Sequence, residues 1–356
     1  MRVLIVDTCY APFIDSHYRA RPTLRNAPYA EQWRALMDTF FGTADAYSHY
    51  LGALGHEAHE IVVNCAPLQN AWARENGLGR GASNLWREPG SAAIAVAQAR
   101  AFEPDVVYVQ NLGHFSPRVL RALGGKLLVG QIASEAPPAR QLTAFDLILT
   151  SFPHFVPRFR AAGISSEYFR IGFDKRVLER LGSVNNDLDA VFVGTLGRRQ
   201  HGRGNELIDA VARETDLAVW GVGIGDWPFD SALRAAYHGE AWGLEMFRIF
   251  ARAKVVINRH IDVSEDQANN MRLYEATGVG SLLVTDEKRN LADLFDPGRE
   301  VVTYRDAASL VEAVNWSLGH PDERAVIARA GQKRTLADHG YDRRMIELIG
   351  ILEAYL

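Results

Sequence analysis

The chain has 356 residues, 47% of them hydrophobic, and a formal net charge of −4. At the usual ~150 residues per domain this suggests two domains, each with enough apolar residues for a core. The mild acidity and the scattered arginines speak against a nucleic-acid or membrane surface, and no apolar run approaches the ~20 residues of a bilayer span. Cys9 and Cys65 form neither a disulfide framework nor a metal spacing and read as reduced thiols. Met1-Arg2 runs straight into an apolar stretch with no leader-like segment, so a cytosolic location is expected.

In chain order, Val3–Asp7 reads as a first parallel strand. Ala11–Pro28, polar and proline-bearing with Asp15, His17, Tyr18, Arg19 and Arg21, reads as a long loop of the kind that often carries function. Tyr29–Leu54 reads as helical, and Ile61–Asn64 as a strand. Leu68–Arg87 is ambiguous because Gly77, Gly79 and Gly81 interrupt any helix. Ser91–Phe102 is a clear helix. Asp105–Gln110, Leu127–Ile132 and Leu147–Thr150 are strands, each followed by polar residues: Asn111 to His114, Ala133 to Glu135 and Ser151 to His154. Strands alternating with helices predict a doubly wound α/β domain, with functional groups beyond the carboxyl ends of its strands.

The polar run Lys175–Asp187, with Asn185-Asn186-Asp187, reads as the linker between domains 1–174 and 188–340. Strand pattern restarts at Leu188–Val193. Gly194 to Arg203 then reads as a glycine- and arginine-rich loop before a helix over Glu206–Arg213. Leu217–Gly221 and Val255–Asn258 are strands, and Leu244–Ala253 a helix. Glu300–Tyr304 is a further strand, followed by helices over Ala307–Leu318, Asp322–His339 and Tyr341–Leu356.

The most informative stretch is Asn269–Asp286, read as loop, short helix, glycine turn and buried strand. Asn269 or Asn270 can cap the helix, and Gly278 and Gly280 can end it. A helix opening at the mouth of a parallel sheet offers unpaired N–H donors and a positive dipole end to a phosphate. Glu275, one to two turns in, is placed to accept hydrogen bonds from ribose hydroxyls.

Glu275-Ala-Thr-Gly-Val-Gly280 resembles the Glu-Ala-x-x-x-Gly turn of nucleotide-sugar glycosyltransferases with the GT-B fold. Other segments extend the likeness: Val191-Phe-Val-Gly-Thr-Leu-Gly197, Tyr237-His-Gly-Glu240, Val255-Val-Ile-Asn258, Asn270-Met-Arg-Leu-Tyr-Glu275, Leu283-Val-Thr-Asp286, Leu294 to Glu300 and Ile327 to Gln332. Their order is similar to that of the CgeB-like (spore maturation protein B) glycosyltransferases. The first half matches that group only loosely. The resemblance implies two doubly wound Rossmann-like domains facing a central cleft. The first would bind the acceptor, with helix 341–356 packing back on it, and the second the nucleoside-diphosphate sugar.

It further implies a donor site built from Gly194, Thr195, Arg198, Arg203, Gly221, Tyr237, Asn258, Asn269, Asn270, Met271, Arg272 and Glu275. Arg198 or Arg199, and more firmly Arg203, would pair with the diphosphate in the fork geometry of guanidinium. Gly221 and Tyr237 would lie near the base, and Asn258 would hold the loop that feeds Asn269. Arg259 and His260 leave the strand beside them and could reach sugar or phosphate. Chemistry in which basic side chains offset the leaving diphosphate can proceed without a metal, so transfer is expected to need neither metal nor cofactor, with the nucleotide sugar as co-substrate.

For a general base the candidates are Asp7, His17, His114, Glu135 and His154, with Glu135 and His114 ranked first as catalytic residues. Many retaining relatives carry a second acid eight positions before Glu275; here that position is Gln267. The departure leaves stereochemistry open. It also leaves room for a nucleotide-sugar epimerase or hydrolase, or for a non-catalytic nucleotide-sugar-binding subunit. The acceptor would be a glycan, a lipid-linked sugar or a small molecule, not a nucleic acid.

Overall fold

The computed structural model describes residues 1–78 and 91–356, with the backbone alone described for 198–203. The first part of the ambiguous stretch Leu68–Arg87 belongs to the helix Ala66–Glu75, and its residues from 79 on lie outside the described residues, as do 88–90. The chain divides into two compact units: Met1–Phe169 with Arg344–Leu356, and Arg170–Arg343. The segment 175–187 falls inside the second unit and carries a helix, Arg176–Leu181.

The first unit holds a parallel sheet of six strands: β1 (Arg2–Asp7), β2 (Glu57–Val62), β3 (Val106–Val109), β4 (Leu127–Ile132), β5 (Leu147–Thr150) and β6 (Ser166–Tyr168). Their order is β2-β1-β3-β4-β5-β6. Every residue of β3 and β5 is buried, as expected for strands covered on both faces. The order reverses between β1 and β3. There the Asn111 side chain donates to Thr8 Oγ1 at 2.9 Å, joining the two strand exits. The final helix, Tyr341–Tyr355, gives its last residues to this unit, and Tyr355 donates to Glu167 at 3.0 Å.

Two expectations for this half are corrected. Ala11–Pro28 is no loop: Ala11–Ala20 is a helix and Pro22–Asn26 a 3₁₀ turn. Pro12 sits in the first turn, where its missing N–H costs nothing. Phe13, Ile14, His17 and Tyr18 form the buried face. The helical stretch 29–54 is in fact two helices, Tyr29–Met37 and Ala46–Ala53. Left-handed backbone at Phe40, Gly42 and Ala44 breaks them apart.

Glu60, on β2, is 1% exposed. Its Oε1 accepts from the Ser48 N–H at 2.8 Å, while Oε2 is buried without a partner. Burial raises its pKa from the ordinary 4.5 to about 8, against the opposing pull of the Ser48 bonds. Between those values the unfolded chain has released this proton and the folded chain retains it. Stability therefore falls as pH rises from about 4.5 to about 8, and the loss is complete above that. Glu60→Gln is expected to remove this slope. The gap in thermal midpoint between pH 5.5 and pH 8.5 should shrink by a few degrees, corresponding to about 1–2 kcal/mol. An unchanged gap would show that Glu60 does not titrate in this window.

The second unit holds five parallel strands: β7 (Leu188–Thr195), β8 (Leu217–Val222), β9 (Ala253–Asn258), β10 (Leu282–Asp286) and β11 (Val302–Tyr304). Their order is β11-β10-β9-β7-β8. Phe192, Val219, Val255, Ile257, Leu282 and Val284 fill its core. The order reverses between β7 and β9, so the crevice of this sheet lies beyond Thr195 and Asn258. Entry and exit of the unit are stitched together. Phe173 N–H donates to His339 O at 2.8 Å, Tyr341 N–H donates to Phe173 O at 3.0 Å, and Lys175 pairs with Asp342 at 2.7 Å.

Candidate functional site

Asn258 closes β9 and is 1% exposed. Its amide donates to Thr285 Oγ1 at 2.9 Å, its Oδ1 accepts from the Asn270 amide at 2.9 Å, and its carbonyl accepts from Tyr304 OH at 2.9 Å. Asn270 also donates to the Arg259 carbonyl at 3.2 Å and accepts from the Leu273 N–H at 3.3 Å. It is thus the N-cap of the helix Met271–Gly278. Asn269, also buried, accepts from Tyr274 OH at 2.9 Å. This asparagine clamp fixes a helix N-terminus, beginning at Met271, against the ends of β9 and β10.

Inside that helix Glu275 is 4% exposed and pairs with Arg272, three residues earlier. Arg272 Nε donates to the Val193 carbonyl at 3.0 Å, which ties the pair to β7. The same helix packs so closely on Phe173 that a Cβ at Gly278 would lie 2.6 Å from the ring.

The mouth between β7 and β8 is bare backbone. Gly221, with φ +149°, faces Gly194 so closely that a Cβ would stand 1.7 Å from the Gly194 carbonyl oxygen. A Cβ on Gly223 would stand 2.5 Å from Gly197 N. Tyr237 lies alongside β8, its hydroxyl donating to Gly221 O at 2.9 Å. Trp220 stacks on His238, with ring centroids 4.9 Å apart.

The expected loop 194–203 is corrected: the helix starts at Arg198 and runs to Glu214, capped by Gly197. Arg198 and Arg203 therefore lie in its first turns, and their side chains lie outside the described residues. Gly202 and Gly204 look like loop residues in sequence. Gly204 is needed in the helix for another reason, since a Cβ there would lie 2.5 Å from the Arg259 guanidinium.

Arg259 crosses from the end of β9 to the end of β7. Its Nη2 donates to Asn205 Oδ1 at 2.6 Å and to Thr195 O at 3.5 Å. His260 turns the other way: its backbone N–H (3.0 Å) and its Nδ1 (2.6 Å) both meet Asp286 Oδ1. Burial works to raise the Asp286 carboxyl, but the His260 bond and Lys288 outweigh it and hold the pKa below its ordinary value. His260 Nε2 is buried and unpartnered. Sequence reasoning gave Arg259 and His260 no firm role and did not single out Asn205 or Tyr304. Asp286 appeared there only as the end of a motif, and its position at a strand exit was the available signal.

In the first unit the catalytic candidates separate. Glu135 is exposed on a bend after β4. His114 is half-buried, its Nε2 unpartnered, and burial lowers its pKa. His17 is in the helix Ala11–Ala20 rather than a loop, and burial together with Arg21 lowers its pKa to about 4. His154 caps the helix Phe155–Ala161 beside Phe152 and Phe155. Asp7 stands at the β1 exit, raised to about 6 by burial against a bond from Thr8 N–H. The described residues contain no acid, histidine or cysteine cluster placed to hold a metal, and no helix long and apolar enough to cross a membrane.

A family model described as glycosyl transferase-like matches residues 198–350. No curated protein matches the chain in sequence. Solved structures match along nearly its whole length. Sucrose-phosphate synthase from Thermosynechococcus elongatus is 12% identical with a TM-score of 0.59, covering 99% of this chain and 98% of that one. A glycosyltransferase from Rickettsia africae is 10% identical with a TM-score of 0.60, at the same coverage of 99% and 98%. HepE from Anabaena, solved with UDP-glucose, is 13% identical with a TM-score of 0.60, covering 99% of this chain and all of that one. With the two parallel sheets described above, these likenesses establish a GT-B fold of two Rossmann-like domains.

Proposed function

We propose that this chain is a glycosyltransferase moving a sugar from a nucleoside-diphosphate sugar to an acceptor. The observation that carries the reading is the asparagine clamp, which holds a helix N-terminus and a buried Glu275 beyond the strands that flank the switch point. The helix N-terminus and Arg203 would take up charge developing on the leaving diphosphate, which is the main demand of such chemistry. Glu275, one oxygen held by Arg272, would accept from the ribose with the other. The first unit would bind a glycan, lipid-linked or small-molecule acceptor, and the reaction would proceed without a metal in the cytosol.

HepE is the basis for choosing UDP and UDP-glucose as first probes. Wild-type protein is expected to gain thermal stability with UDP. Arg203→Ala should weaken UDP at least tenfold while leaving uridine unchanged. Equal loss for both ligands, measured by calorimetry, would remove Arg203 from the phosphate contacts. Gln267, where many retaining relatives carry an acid, supports a second reading as a nucleotide-sugar-binding subunit. Donor binding with neither transfer nor hydrolysis would favour it.

A further inference from the structure

We propose that Arg259 is a built anion seat of the second unit, the fixed cation that receives the diphosphate of the donor at the β7/β9 switch point. This rests on the nucleotide-sugar reading above. Arg259 has no ion-pair partner among the described residues: its guanidinium bonds only to the neutral Asn205 amide oxygen and the Thr195 carbonyl. Its Nε is buried with no partner at all. Residues 198–203 include no acid. Asp262 and Asp286 act on it only through space, and burial lowers its pKa despite them.

Two other arginines of this unit are each paired with a carboxylate. Arg272 has Glu275, and Arg213 on the helix that Arg259 packs against has Asp209. A half-buried guanidinium left without a counter-ion is costly, and a bound anion offsets that cost. Three features aim it. Gly204 lacks the Cβ that would displace it, Phe192 lies beneath with its ring centroid 6.0 Å from Cζ, and Asn205 holds one arm of the fork. The Nη1 donors are engaged by none of the described residues and remain for a phosphoryl oxygen. Because the site is partly desolvated, that charge would act on a leaving diphosphate more strongly than a solvated arginine would.

The test uses the full chain and three variants. Arg259→Gln removes the charge and, two bonds shorter, no longer reaches Asn205; Asn205→Ala breaks the same bridge but keeps the charge, and is its control. Arg259→Lys keeps the charge and loses the fork. Pyrophosphate is the first probe. It should raise the wild-type thermal midpoint, raise that of Arg259→Lys less, and leave Arg259→Gln unmoved. By calorimetry, Arg259→Gln should lower the UDP-to-uridine affinity ratio at least tenfold. A folded Arg259→Gln that keeps the pyrophosphate response, or an unchanged ratio, would overturn the seat and leave Arg259 a structural bridge. A wild type that responds to pyrophosphate but to no nucleotide would keep the seat and overturn the donor reading. A wild type that responds to neither would overturn the seat itself.

Discussion

Gly221→Ala is expected to leave the second unit unable to reach its native sheet. A Cβ there would sit 1.7 Å from the Gly194 carbonyl oxygen, and Gly194 is its register partner on β7. The obstacle is paired backbone, so no side chain can swing aside. The φ of +149° adds conformational strain for any other residue. Together these place the cost above about 4 kcal/mol, the range reserved for mutations that break a named structural constraint. Gly225→Ala serves as the control, since a Cβ there meets nothing within 4 Å. Thermal and denaturant unfolding of both variants would decide. A Gly221→Ala protein that melts with the wild type would mean that β7 and β8 are not joined as described.

Glu275 carries the second large effect, and two substitutions divide it. Glu275→Ala strands Arg272, whose side chain is 27% exposed against 5% for its partner. Wholly buried pairs lose about 3–5 kcal/mol when one member is removed. The partial exposure of Arg272 reduces the expected loss to roughly 2–3 kcal/mol. Glu275→Gln retains shape and one acceptor, so it should fold. It should nonetheless weaken UDP by about 1–3 kcal/mol, the scale of a charge-assisted bond to ribose. Uridine should weaken equally, because the contact lies on the nucleoside. Unchanged uridine and UDP affinity in folded Glu275→Gln would confine Glu275 to its pair with Arg272.

Much of the fold was legible because buried parallel strands are short apolar runs. Leu127–Ile132 and Leu147–Thr150 coincide with β4 and β5, and Ser91–Phe102 is a helix to the residue. What escaped were places where a local rule is overridden from elsewhere in the fold. Phe40 and Ala44 take left-handed backbone without being glycine, so Gly42 between them is the one letter that hints at the break between two helices. Gly202 and Gly204 imitate a loop, and the reason for Gly204 becomes visible only when Arg259 is found lying against it. In the site, the Asn270 cap followed from residue type and position. The accounting of charges did not, because whether an arginine has a carboxylate partner depends on which strand ends meet.

The stitched entry and exit of the second unit bear on how this protein is made. Residues 170–343 form a closed insertion with their two ends side by side, and the first unit waits for 344–356. During synthesis the inserted unit is complete before residues 344–356, which the first unit needs, are added. The first six-stranded sheet can assemble early, but it lacks the helix segment 344–356 until that segment follows. Chains cut after residue 343 and held on the ribosome by a linker long enough to clear the exit tunnel should therefore present a protease-resistant second unit beside a first unit still open to cleavage.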